Sequence, residues 1–285
     1  MPFVVHRPMP YLKVGNAHIH YHMSGSGEPL VLIPGLFGNL YNWKKMVPIL
    51  EKRYHVVLVD NRGAGRTEAP DEPFTMEDMA DDVASLMGAL DIPRYHVMGW
   101  SMGGNVAQEV AIRHPEEVAS LILMSTYSRR PERSSYAIDA MLRTVKEGAS
   151  LDTFLQMMNT WCLTQSHYAG RKLKASRRKY TDADRIVEGF CRQKIALDLF
   201  DSTTRLPLIT CPTLVIHGDE DIMVPTHMGE ELAQGIVGSE LTIVRGAGHI
   251  IPPEGCSRSI LSFLGRHPLE VDDVVGEAVA SAARD

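Results

Sequence analysis

Between residues 30 and 124, short runs dominated by apolar residues alternate with helical patterns, and few architectures can accommodate that alternation. Residues 30–33, 55–59, 95–98 and 120–124 read as strands, and residues 43–50, 76–90 and 105–112 as helices. Over 76–90 the apolar positions 76, 79, 83, 86, 87 and 90 make one stripe at helical spacing, with Thr75 and Asp78 set as a capping pair. Strands that are apolar on both sides must be covered on both sides, so the pattern implies a parallel sheet between two layers of helices. Residues 11–14 and 18–23 add two strands joined at Gly15-Asn16, a pair suited to a tight hairpin turn.

The alternation stops after residue 126. Residues 136–146, 151–162 and 182–199 read as helical with no convincing strand among them. Strand and helix resume at 213–217, 227–236, 241–244 and 256–264. The expected organisation is therefore an α/β core over residues 1–126 and 206–265, an inserted helical cap over 127–205, and a C-terminal tail over 266–285.

The chain's 285 residues, 44% apolar and 22% charged, suffice for a sizeable core and argue against disorder. A net charge of −6 offers no general attraction to nucleic acid or an anionic membrane, which makes a small molecule the default partner. The first residues lack the unbroken apolar stretch of a secretory signal, and no segment approaches the roughly 18 apolar residues of a membrane span. Cys162, Cys191, Cys211 and Cys256 lie far apart with no C-x-x-C pair, so neither a zinc site nor a disulfide scaffold is expected, and a cytoplasmic location is.

Gly99-Trp100-Ser101-Met102-Gly103 matches G-x-S-x-G where a strand gives way to a helix. A nucleophile presented on so sharp a turn needs glycine neighbours, because larger side chains would collide with adjacent backbone. A serine hydroxyl also needs a base to take its proton, and the base needs an acid to hold its tautomer. Of 12 histidines, His249 stands in the flexible Gly246-Ala247-Gly248-His249 loop after the strand at 241–244. The acid belongs in the loop after the strand at 213–217, where Asp219, Glu220 and Asp221 compete on equal terms. His217, at the end of that strand, reads as structural rather than as a second base. No cysteine occupies a glycine-flanked turn of this kind.

Together with these segments, Ile33-Pro34-Gly35-Leu36-Phe37-Gly38, Asp60-Asn61-Arg62-Gly63-Ala64-Gly65-Arg66-Thr67 and Val224-Pro225 resemble the α/β-hydrolase superfamily near its enol-lactonase and carboxylesterase members, over about residues 11–265. The resemblance implies Asp221 as the acid, through Gly-x-x-Asp-x-x-Val-Pro, and leaves Asp219 as a turn residue. It also implies an oxyanion hole from the backbone N–H groups of Leu36 and Met102. Pro34-Gly35 replaces the more common His-Gly start of that loop without removing a donor N–H. Residues 60–67 match no phosphate-binding signature and read as a structural turn, with Arg62 expected on a carboxylate or carbonyl.

The expected chemistry is acyl transfer from an ester or lactone through Ser101, Asp221 and His249, with no metal or organic cofactor. An aspartate nucleophile, as in related epoxide hydrolases and dehalogenases, is excluded by Ser101. The rivals are a C–C bond hydrolase of the same fold and a receptor-like member that only binds its ligand. Arg171, Lys172, Lys174, Arg177, Arg178 and Lys179 give the cap a basic stretch, read either as a solvated face or as a docking surface for an acidic carrier protein.

Overall fold

The computed structural model describes residues 10–170 and 182–269. β1 (Tyr11–Val14) and β2 (Ala17–Ser24) form an antiparallel hairpin turning at Gly15-Asn16. β3 (Glu28–Ile33) follows, then a 3-10 turn (Leu40–Trp43) and the short helix α1 (Val47–Leu50). The sequence pattern predicts one helix over 43–50, but the structure divides it. In a continuous helix the Pro48 ring would collide with the Lys44 carbonyl, whereas in the first turn of α1 no N–H is required of it.

β4 (Tyr54–Val59), α2 (Met76–Ala89), β5 (Tyr95–Trp100), α3 (Met102–Arg113) and β6 (Val118–Met124) continue the alternation. The capping pair of α2 is present: Thr75 Oγ1 accepts the Asp78 N–H at 3.2 Å, and Asp78 Oδ2 accepts the Thr75 N–H at 2.8 Å. Then come α4 (Glu132–Lys146), α5 (Leu151–Cys162), α6 (Gln165–Tyr168) and α7 (Ala183–Leu199), followed by a second 3-10 turn (Thr203–Leu208). β7 (Thr213–Gly218), α8 (Thr226–Gly235), β8 (Glu240–Val244) and α9 (Pro253–Arg266) complete the described chain. Arg266, assigned above to the tail, instead ends α9, and buried Leu269 donates its N–H to Glu28 Oε1 at 3.2 Å. Residues 270–285, like the six basic residues between 171 and 179, lie outside the described residues.

The eight strands order as β1-β2-β4-β3-β5-β6-β7-β8, antiparallel at β1-β2 and β2-β4 and parallel from β4 onward. Successive residues of each central strand feed opposite cores. Val31, Ile33, Val97, Leu121 and Val215 pack with α2 and α3, while Leu30, Leu32, Met98, Ile122 and Ile216 pack with α1 and α9. Each such side chain stabilises the fold by about 1.5–3 kcal/mol relative to exposure, which is why both faces must be covered.

Among the described residues, the segment between β6 and β7 adds helices and no strand to the sheet. Its two ends meet: the Ser202 N–H donates to the Ser128 carbonyl at 2.8 Å, and Arg129 and Asp201 form an antiparallel bridge. The Asn105 and Gln108 amides of α3 hold the Tyr127 carbonyl from below at 2.7 and 3.0 Å. α7 comes down on the core at Gly189, where a Cβ would strike the Gly63 carbonyl.

Candidate active site

β5 runs directly into α3, and Ser101 is the single residue between them, at φ 55° and ψ −124°. A non-glycine residue at such angles costs about 1–3 kcal/mol and persists only where its surroundings enforce it. Here the Ser101 N–H donates to the Met124 carbonyl at 2.9 Å, and the Ser101 carbonyl accepts the Gly104 N–H at 2.7 Å. The flanking glycines are required by space. A Cβ at Gly99 would meet the Gly103 carbonyl, and one at Gly103 would meet the Ile33 carbonyl.

Asp221 follows β7 and His249 follows β8, so parallel pairing of these strands brings both loops to the end of the sheet where β5 delivers Ser101. His249 Nε2 lies 2.9 Å from Ser101 Oγ, and His249 Nδ1 lies 2.9 Å from Asp221 Oδ2. An ionised carboxylate can only accept, so Nδ1 carries the imidazole proton and Nε2 offers its lone pair to the hydroxyl. The second carboxylate oxygen, Oδ1, accepts the Met223 and Val224 N–H groups at 2.9 and 2.8 Å, which fixes the plane of the group. Burial alone would raise the Asp221 carboxyl, but the charge of a protonated His249 facing it and hydrogen bonds from His217, His249 and the Val224 N–H outweigh it and hold the group well below the usual carboxylate range.

Asp219 points elsewhere. Its Oδ1 accepts the Gly246 N–H at 2.7 Å and pins the loop that carries His249. His217 is fully buried, with Nε2 2.9 Å from the Val224 carbonyl and 3.4 Å from Asp221 Oδ2, behind the carboxylate. The His249 loop is held from two further sides: Trp100 Nε1 donates to the His249 carbonyl at 3.0 Å, and the Ile250 N–H donates to the Cys162 carbonyl at 3.2 Å.

Met102 opens α3, and its N–H is among the helix-start donors that have no partner within the helix. Leu36 lines the cavity above Ser101, and the loop is close enough that a Cβ on neighbouring Gly35 would lie 3.1 Å from Ser101 Cβ. Phe37 holds a left-handed φ of 64°, and its N–H donates to Gln193 Oε1 of α7 at 3.0 Å. Gln193 is fully buried and donates its Nε2 to the Arg62 carbonyl at 2.6 Å, while the Arg62 guanidinium forks onto Asp82 of α2. No sequence signal points to Gln193, because a glutamine on a helix announces no partner. The cavity, about 610 Å³ with the open solvent at its mouth included, takes more of its lining from α4, α5 and α7 than from the sheet. Cys162 is part of that lining, but burial and the nearby Asp221 charge push its thiol up to about 12, so it stays protonated.

A strained serine between a central strand and its following helix, with a carboxylate and a histidine on loops after later strands, is the arrangement that defines the α/β hydrolases. The family model for the alpha/beta hydrolase fold matches residues 28–255, and the chain belongs to that family as a hydrolase. RutD of Variovorax paradoxus, named for carbamate hydrolysis, is 30% identical over 261 residues, which cover 87% of this chain and 96% of RutD. Among solved structures, a thermophilic esterase from Thermogutta terrifontis is 26% identical with a TM-score of 0.77, over 88% of this chain and 95% of that one. The enol-lactonase from Burkholderia xenovorans is 25% identical with a TM-score of 0.75, over 90% of this chain and all of that one.

Proposed function

We propose that the protein cleaves a carboxylic ester or lactone through an acyl-enzyme on Ser101. The observation that carries this is the continuous path from Ser101 Oγ through His249 to Asp221, with both contacts at 2.9 Å. In the first step His249 Nε2 takes the hydroxyl proton as Oγ bonds to the substrate carbonyl carbon, and the oxyanion turns toward the N–H groups of Leu36 and Met102. The imidazolium, stabilised by Asp221, then protonates the departing alcohol oxygen. Water enters next, gives a proton to Nε2, attacks the acyl carbon and releases the acid, with Oγ recovering its proton. Leaving-group expulsion and deacylation thus use the same nitrogen in opposite senses.

We further read residues 127–205 as a cap that selects the substrate above a core of residues 1–126 and 206–265. The cavity lining supplied by α4, α5 and α7 supports this division.

Hydrolysis of p-nitrophenyl acetate and butyrate by the purified protein tests the reading. Turnover is expected, with a fluorophosphonate probe labelling Ser101 and a loss of several orders of magnitude in kcat for Ser101→Ala. Undiminished labelling of the alanine variant removes Ser101 as nucleophile. A folded protein with no turnover on any ester or lactone favours one of the two rivals, a C–C bond hydrolase or a receptor.

A further inference from the structure

Most of the cavity wall beyond Ser101 is apolar, formed by residues such as Leu36, Ile138, Met158, Leu197 and Val224. Three charged side chains interrupt it: Arg130, Lys194 and Asp198. Lys194 is a tie between helices, with only 7% of its side chain exposed and its Nζ 2.6 Å from both Asp139 on α4 and Asp198 on α7. Asp198 is correspondingly committed, since it also meets Arg130 at 2.7 Å and accepts from Ser135 Oγ at 3.3 Å. Its burial would raise the carboxyl, but hydrogen bonds from Lys194 and Arg130 prevail and keep it ionised.

Arg130 is placed differently. It sits before α4 with 32% of its side chain exposed, its Nη1 lies 2.7 Å from Asp198 Oδ1, and its guanidinium has five N–H donors in all. The lining carries two cationic side chains, Arg130 and Lys194, against one carboxylate, Asp198. Asp139, the other partner of Lys194, is 48% exposed and stands outside the lining. The first turn of α4 adds to the same sign, because Pro131, Ser134 and Ser135 line the cavity and no side chain caps that N-terminus. Glu132, in that turn, is exposed and outside the lining.

We propose that Arg130, backed by the Lys194–Asp198 pair, forms a subsite for a carboxylate at the far end of the substrate, so that the preferred substrates are esters or lactones of acids that carry a second, free carboxylate. The inference rests on the ester-hydrolase reading for its chemistry. A planar guanidinium matches a carboxylate in two parallel hydrogen bonds, and the apolar side chains that line the same cavity as Arg130 and Ser101 suit the hydrocarbon stem of such a molecule.

The test compares p-nitrophenyl hydrogen glutarate with p-nitrophenyl valerate, which has the same chain length and no charge. The ratio of their kcat/KM values is expected to exceed about 10 in the native protein and to fall at least about tenfold in Arg130→Met, one charge-assisted contact being of that size. In parallel, free glutarate should raise the Tm of the native protein and not that of the variant. Should Arg130→Met lack a cooperative melt, Arg130→Gln, which keeps a donor near Asp198, carries the same comparisons. A native ratio near unity, or one unchanged by the substitution, overturns the subsite. If neither ester is hydrolysed, the ester reading fails and the glutarate shift alone decides: loss of the shift in Arg130→Met sustains the subsite, and equal shifts overturn it.

Discussion

Asp219 and Asp221 stand two residues apart in one loop, yet their surroundings give them different work. Asp221 is buried against His249 Nδ1, while Asp219 holds the Gly246 N–H at the exposed side of the same turn. Asp221→Asn leaves an amide that can donate to the imidazole and favour the wrong tautomer, so kcat should drop by roughly three to four orders of magnitude. Asp219→Asn keeps an acceptor for Gly246 and should stay within about tenfold. Steady-state kinetics on one p-nitrophenyl ester decides, and comparable losses would dissociate Asp221 from the histidine. Residue chemistry alone left Asp219, Glu220 and Asp221 level, since spacing in a loop carries no periodicity from which direction could be read. The resemblance implies Asp221, and the structure sets its Oδ2 2.9 Å from His249 Nδ1. Ser101 and His249 were easier to single out, because the glycines around them leave a trace in the sequence that Gln193, Arg130 and Lys194 do not.

At the scale of elements, α7 reaches into the chemistry without touching it. Gly189 lets the helix backbone lie against Gly63, and one turn on Gln193 takes the Phe37 N–H, the residue directly after Leu36. Gln193→Ala would leave the Phe37 N–H and the Arg62 carbonyl without their buried partner, at about 1–3 kcal/mol each. We expect kcat to fall roughly tenfold with KM within about threefold, because what loosens is the loop that carries the proposed oxyanion donor Leu36. A rise in KM with kcat unchanged would assign Gln193 to substrate binding instead. The central strands and α2 were legible because burial on both faces and a 3.6-residue stripe write themselves into composition. The divided helix around Pro48 and the 3-10 turn at Thr203–Leu208 were not, because a single proline or a tight turn of six residues is outweighed in a pattern by its apolar neighbours.

For the molecule as a whole, the depressed Asp221 carboxyl couples the site to stability. A group held low in the folded state stabilises it fully above the unfolded value of about 3.9, and that contribution is lost as pH falls through the lower folded value. Asp221→Asn should therefore melt below the native protein near neutrality, yet lose less Tm between about pH 6 and pH 3. Calorimetry across that range measures it, and parallel Tm curves would mean that Asp221 is not the coupled group. The closed neck, where Ser128 and Ser202 share a hydrogen bond, has a different kind of consequence. Parallel neighbours such as β6 and β7 always need a crossover, and here the long excursion leaves and returns at one point. Its contents can be lengthened, shortened or exchanged by recombination while the sheet beneath keeps its register, so if this segment selects the substrate as proposed, a lineage built on this frame can inherit its chemistry and its appetite for substrates separately.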